Sequence, residues 1–215
     1  MSSIIAIHGL GGDAVLSWSS QSRSWLRDWL AKQHPDACVL SYGYDSATTW
    51  NGSKTAVCDT ALDFLQKLLL RPGRRFLFLC HGLGGVLVRL ALAMAYTLPE
   101  HSYINGQLLG LVFLGTPQSH LNSHEWLPVL FRMANVLLVG KHYRMAIMGN
   151  LERLSHTLAL LSVEYQLDLN HVPILSYYET VSLADSGTVV CLRFPLSLQR
   201  HMLHGVCFYM QRLLD

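Results

Sequence analysis

The stretch "RFLFLCHGLGGVLVRLALAMA" is an apolar run, then a tight glycine turn, then a segment of small and apolar residues suited to a helix. A strand that turns sharply into a helix through Gly-x-Ser-x-Gly lifts a serine hydroxyl clear of the sheet. A serine held that way attacks acyl carbonyls. Here the turn reads His81-Gly82-Leu83-Gly84-Gly85, and Gly82 occupies the serine's place. The turn is kept and the attacking oxygen is gone. Cys80 does not replace it. It lies two residues earlier, inside the strand, where a cysteine behaves as a small hydrophobe.

A turn of this kind works only at one end of a sheet, so the neighbouring strands must end beside it. The sequence predicts strands over residues 4–8, 37–42, 76–80, 108–114 and 172–178, with 188–192 a further candidate. Helices are predicted over 24–32, 55–70, 84–97, 126–139, 147–165 and 202–214. Fully apolar strands alternating with helices specify a mostly parallel sheet with helices on both faces. Ligands of such sheets sit at the carboxyl ends of the strands. His8, Gly82, Gly115 and Glu179 all fall at such ends.

The chain has 215 residues, of which 51% are hydrophobic and 14% charged, which suits one α/β domain over residues 1–215 with a sizeable core. The mean hydropathy is positive. Even so, the most apolar loop candidate, residues 127–140, is too short to span a bilayer and is interrupted by Arg132 and Asn135. No membrane span is expected. That segment reads instead as a buried helix or an apolar lid over approximately 119–150. A formal net charge of +2 without a basic block gives no footprint for nucleic acid. The N-terminus enters a strand-like run directly, with no signal-peptide layout. The five cysteines, at 38, 58, 80, 191 and 207, are odd in number and singly spaced. That spacing points to free thiols in a reducing, cytoplasmic compartment. No metal or cofactor is expected.

The words "IIAIHGLGGD", "SYGYDS", "FLCHGLGG", "GLVFLGTP" and "ILSYYET" occur in that order. In them the chain resembles the α/β-hydrolase superfamily, in particular the DUF676-like serine esterases and lipases common in fungi. The resemblance covers nearly the whole chain. It implies an α/β-hydrolase-like fold with a short helical lid, and a catalytic order of nucleophile, acid, histidine. Gly82, Glu179 and His204 keep that order. His204 is favoured because Val206-Cys207-Phe208 follows it, with His201 as competitor. The resemblance also makes His8-Gly9-Leu10-Gly11-Gly12 the oxyanion loop, pairing the Leu10 N–H with that of Leu83. Tyr44 and Gln118 are candidates for the pocket wall. The departures fall on the chemistry: the elbow lacks serine, Gln118 stands where the family has histidine, and the C-terminal word is altered.

Losing a triad serine costs on the order of a million-fold in turnover. What remains is shape and hydrogen-bond donors. Three functions follow for a chain that binds an apolar small molecule. One is a non-hydrolytic enzyme that promotes cyclisation, cycloaddition or isomerisation of a biosynthetic intermediate. Another is a serine esterase whose nucleophile has been mutated, and the third is a non-catalytic binding protein. The oligomeric state is not encoded in any motif.

Overall fold

The computed structural model describes residues 1–20, 23–117, 121–137, 144–166, 169, 171–179, 200–203 and 206–212, with the backbone alone over 135–137, 144–149, 178–179, 200–203 and 206–212. The main strands are β1 (Ser2–Ile7), β2 (Ala37–Tyr42), β3 (Arg75–His81), β4 (Leu108–Leu114), β5 (Ile174–Glu179), β6 (Arg200–Leu203) and β7 (Val206–Arg212). The long helices are α1 (Lys54–Leu69), α2 (Leu83–Thr97), α3 (Ser123–Leu137) and α4 (Arg144–Glu164).

One sheet carries all seven strands in the order β2-β1-β3-β4-β5-β7-β6. The first five run parallel. Their register aligns Tyr42 with Ile7, Ile7 with Cys80, His81 with Leu114 and Leu114 with Tyr177, so the carboxyl ends form one edge. The fold is α/β-hydrolase-like, a mostly parallel sheet whose third strand turns through a glycine elbow into a buried helix.

The two faces of the sheet are covered unequally. In β1, Ile5 and Ile7 join the larger core with Phe64, Phe76, Phe78, Phe113 and the buried faces of all four long helices. Ile4 and Ala6 point to the other face, where Trp18, Leu26 and Leu30 cover them. Among the described residues that cover comes from the turn Leu16–Trp18 and one short helical stretch, Trp25–Leu30 running into Ala31–Gln33. Leu77, Val112 and Leu114 on the same face are only partly buried.

Helix α1 starts where Ser53 accepts a hydrogen bond from the Ala56 N–H, and it buries Val57, Ala61, Phe64, Leu65 and Leu68. Helix α2 is apolar almost all round, as a central helix must be, and Arg89 is the one charged residue in it. Among the described residues no single helix is long and apolar enough to cross a membrane.

The predicted closing helix over 202–214 is corrected. The chain there forms β6 and β7, an antiparallel pair laid against β5, with Tyr177 opposite Met210 and Glu179 opposite Phe208. The run "VCFYMQR" is rich in β-formers, and without a partner β5 would leave a row of unpaired N–H and C=O groups at the sheet edge. Edge pairing satisfies those groups, which a helix could not. The predicted strand over 188–192 lies outside the described residues.

Candidate functional site

The turn from β3 into α2 has an elbow geometry with Gly82 at its apex. Gly82 joins β3 to α2 with φ 51° and ψ −127°. Its N–H donates to the Leu114 carbonyl at 2.9 Å, which hooks the turn to the end of β4. At this positive φ any other residue would carry backbone strain of about 1–3 kcal/mol. Glycine therefore relieves the strain and removes the hydroxyl together. Among the described residues, a Cβ at position 82 would meet the Met133 Cε at 3.2 Å and the Gly9 Cα at 3.8 Å and nothing else within 4 Å. The nearer contact is the flexible end of a thioether, so a serine fits after a small movement of that methyl.

The other glycines of the turn serve close approach. A Cβ on Gly84 would stand 2.3 Å from the His8 carbonyl oxygen and 2.7 Å from that of Ile7. On Gly85 it would stand 2.3 Å from the Thr116 hydroxyl. Helix α2 is thus seated directly on the ends of β1 and β4.

The first glycine loop is pressed against the elbow, backbone to backbone. A Cβ on Gly9 would lie 2.8 Å from the His81 carbonyl oxygen and 3.3 Å from the Leu83 nitrogen. The loop closes through the Gly12 N–H on the Gly9 carbonyl at 3.1 Å. It is held from outside by Ser46, whose hydroxyl accepts from the Gly11 N–H at 3.1 Å. Ser46 begins a short helix, Ser46–Thr49, whose first N–H groups are capped by Asp45. Leu83 is the first residue of α2, where an N–H has no partner within the helix. Among the described residues, neither the Leu83 nor the Leu10 N–H is bonded to another group.

His8 is fully buried and serves the scaffold. Its ring stacks on Tyr44 at 4.3 Å between centroids. Nδ1 lies 3.1 Å from the Gly9 carbonyl, which can only accept, and Nε2 accepts from the Tyr44 N–H at 3.4 Å. Those two bonds fix the neutral tautomer with the proton on Nδ1. Tyr44 in turn donates its hydroxyl to the His8 carbonyl at 2.8 Å and accepts from the Trp50 indole at 3.2 Å. Burial pushes its phenol well above the ordinary range. The replacement His8→Phe keeps the stack, orphans the Tyr44 N–H and leaves the Gly9 carbonyl with the Gly12 N–H alone. It is expected to cost about 1–2 kcal/mol of stability, read as a lower urea midpoint at unchanged slope. A variant as stable as the parent would show that these bonds do not hold the loop.

Cys80 has no exposed surface, and burial raises its thiol far above the range of a reactive cysteine. It is not a nucleophile.

Glu179 ends β5 on the same edge as Gly82, with β4 between them. His201 lies in β6, in the row of Glu179 and Phe208, four strands from β3. At roughly 4.8 Å per strand that is about 19 Å across the sheet. His204 and Gln118 lie outside the described residues. The structure therefore brings His8, Leu10, Tyr44, Gly82 and Leu83 together, sets Glu179 on their edge and leaves His201 far along it. Sequence reasoning missed Met133, Ser46 and Trp50. Ser46 was visible within the word "SYGYDS", but Met133 reaches Gly82 across a gap in sequence that no motif spans.

No family model matches the chain. Among curated proteins it is similar to Protein SERAC1 of Homo sapiens, 27% identical over 138 residues, covering 53% of this chain and 21% of that one. Protein SERAC1 of Bos taurus is 26% identical, covering 56% and 22%. The chain thus spans about a fifth of the curated relatives it matches. Among solved structures it is similar to the RedJ thioesterase from the prodiginine biosynthetic pathway of Streptomyces coelicolor, at 13% identity and a TM-score of 0.43, covering 78% of this chain and 64% of that one. The Bacillus licheniformis lipase BlEst2 gives 15% identity, a TM-score of 0.39 and coverage of 74% and 62%. The bottromycin epimerase BotH gives 14%, 0.38, and 76% and 66%.

Proposed function

We propose that this chain is a non-hydrolytic protein of the α/β-hydrolase type that binds a neutral, apolar, carbonyl-bearing small molecule at the carboxyl edge of the sheet. The observation that carries the reading is Gly82, which holds the elbow backbone at φ 51° and ψ −127° with no side chain to attack. The N–H groups of Leu10 and Leu83 are the donors for the carbonyl, and they polarise it without covalent chemistry. Helix α3 is the lid, and Met133 is the part of it that rests on the elbow; the rest of the expected lid over 119–150 lies partly outside the described residues. A ligand reaches Gly82 by displacing that flexible side chain.

On this reading the reaction class is a cyclisation, cycloaddition or isomerisation, which needs positioning and hydrogen-bond donors but no nucleophile. Glu179 and His204 are then an auxiliary acid–base pair. The DUF676-like, fungal and secondary-metabolic associations belong to the same proposal, as does a cytoplasmic setting. Cys38, Cys58 and Cys80 carry free thiols, which supports that setting.

The test is thermal stabilisation by matched ligands, cyclic ketones against hydrocarbons of equal size. Two donors worth about 1 kcal/mol each should make the ketone bind on the order of tenfold more tightly or better. Met133→Trp, which fills the space above Gly82, should abolish the shift. Equal stabilisation by ketone and hydrocarbon would overturn the reading.

One observation favours a second reading, a serine esterase mutated at its nucleophile. Among the described residues, only a methyl would have to move to admit a side chain at position 82. The natural gene's codon for residue 82 decides this directly. A serine codon establishes the second reading and a glycine codon removes it.

A further inference from the structure

The helical stretch over 25–33 turns one face to the sheet, where Leu26 and Leu30 are buried, and the other outward. The outward face carries Trp25, Trp29 and Lys32, at helical spacing and all exposed. The two indoles are 38% and 49% exposed even though they stack on each other at 5.7 Å between centroids. Trp25 also stacks on the buried Trp18 at 6.4 Å. The turn that holds Trp18 exposes two further apolar side chains, Val15 and Leu16. The stretch is fixed at its start, where the Ser24 hydroxyl accepts from the Arg27 N–H at 3.3 Å and Asp28 accepts from the Ser24 N–H at 2.8 Å. An exposed apolar patch rimmed by polar residues marks a contact with a protein or a membrane.

The charges beside the indoles decide between these occupants. Residues 23–32 hold Arg23, Arg27, Asp28 and Lys32, three cations against one carboxylate, and Asp28 is paired with Arg27 at 2.9 Å. Arg23 and Lys32 flank the indoles, are exposed and form no ion pair among the described residues. Asp13, the carboxylate of the neighbouring turn, accepts from the N–H groups of Val15 and Leu16. Protein–protein contacts are depleted in lysine. Indoles flanked by arginine and lysine have the composition of a membrane–water boundary, where the ring sits at headgroup level and the cations meet phosphate.

We infer that this patch docks the protein on an anionic lipid surface, with Trp25 and Trp29 at headgroup depth and Arg23 and Lys32 on the lipid phosphates. The turn adjoins the first glycine loop, since a Cβ on Gly12 would stand 2.7 Å from the Ser17 hydroxyl oxygen. The inference does not depend on the reading given to Gly82.

The test is co-sedimentation of the whole chain with vesicles of phosphatidylcholine, alone or with about one-third phosphatidylserine. Two free cations at the surface should make binding to the mixed vesicles at least about tenfold stronger, with a blue shift of the indole emission. Trp29→Ala, which removes a half-exposed ring and leaves the core intact, should weaken binding about fivefold. Arg23→Gln with Lys32→Gln should remove the preference for phosphatidylserine. Arg71→Gln with Arg74→Gln, just before the amino end of β3, is the control and should leave binding within roughly twofold. No binding to either vesicle, or binding that Trp29→Ala and the Arg23, Lys32 pair of changes leave unmoved, would overturn the inference. So would a dimer in place of vesicle binding, seen by sedimentation velocity and lost in Trp29→Ala. No ligand of the elbow enters the readout, so failure here leaves the carbonyl-binding proposal at Gly82 standing.

Discussion

Replacing Gly84 with alanine is expected to destabilise the protein by at least about 3 kcal/mol, enough to leave little folded material in a marginally stable domain. The added Cβ would stand 2.3 Å and 2.7 Å from two backbone carbonyl oxygens, those of His8 and Ile7. Neither can rotate away, because Ile7 ends β1, which is paired on both sides, and the carbonyl of His8, the next residue, is held by the Tyr44 hydroxyl. The whole N-terminal end of α2 must lift instead, and with it the packing of Leu83, Leu87 and Val88 in the core. Gly106→Ala is the control. Among the described residues its Cβ meets nothing within 4 Å, and it ends a short helix. That change should be neutral or mildly stabilising. Urea denaturation of both variants reads the difference. A Gly84→Ala protein as stable as Gly106→Ala would show that α2 is not seated on β1 as described.

The second large effect is chemical. Gly82→Ser puts a hydroxyl back on the elbow in a position with room for it. Activated short-chain esters are the substrates on which to look for turnover. A complete triad would give a gain on the order of a million-fold over the parent, whereas donors without a base would leave about a thousand-fold over water. The expected result is a small rescue, because the histidine that must serve the serine stands in a C-terminal word that departs from the family pattern. A base misplaced by about 1 Å loses on the order of a hundred-fold. His204→Ala in the Gly82→Ser background should remove the gain. His201→Ala should not, since β6 lies four strands from the elbow. The stability of Gly82→Ser should fall by about 1–3 kcal/mol from the positive φ alone. Full esterase activity in this variant would show the parent to be a disabled hydrolase.

The parallel part of the sheet was legible in the sequence because its strands are covered on both faces. Runs such as "IIAI", "RFLFLC" and "LLGLVFL" therefore read as unbroken apolar stretches, each stopped by glycine. The elbow was legible for a related reason: Gly84 and Gly85 must be glycine for close approach, and Gly82 sits at a positive φ. The C-terminal pair was not. "RHMLHGVCFYM" carries apolar residues at spacings that suit either a helix or a strand, and the choice is made by the open edge of β5, a tertiary fact. His8 read as a pocket residue at a strand end. Its stack on Tyr44 and its two backbone bonds, which make it a support for the loop, depend on a contact 36 residues away.

The most direct test of the central claim, a hydrolase elbow without a nucleophile, is intact-mass measurement of the purified chain after exposure to a fluorophosphonate. The expected result is no adduct, with ester turnover at the background rate before and after treatment, because no oxygen or thiolate stands on the elbow. A one-to-one adduct on any serine or on Cys80, formed in step with the loss of an esterase activity, would contradict it.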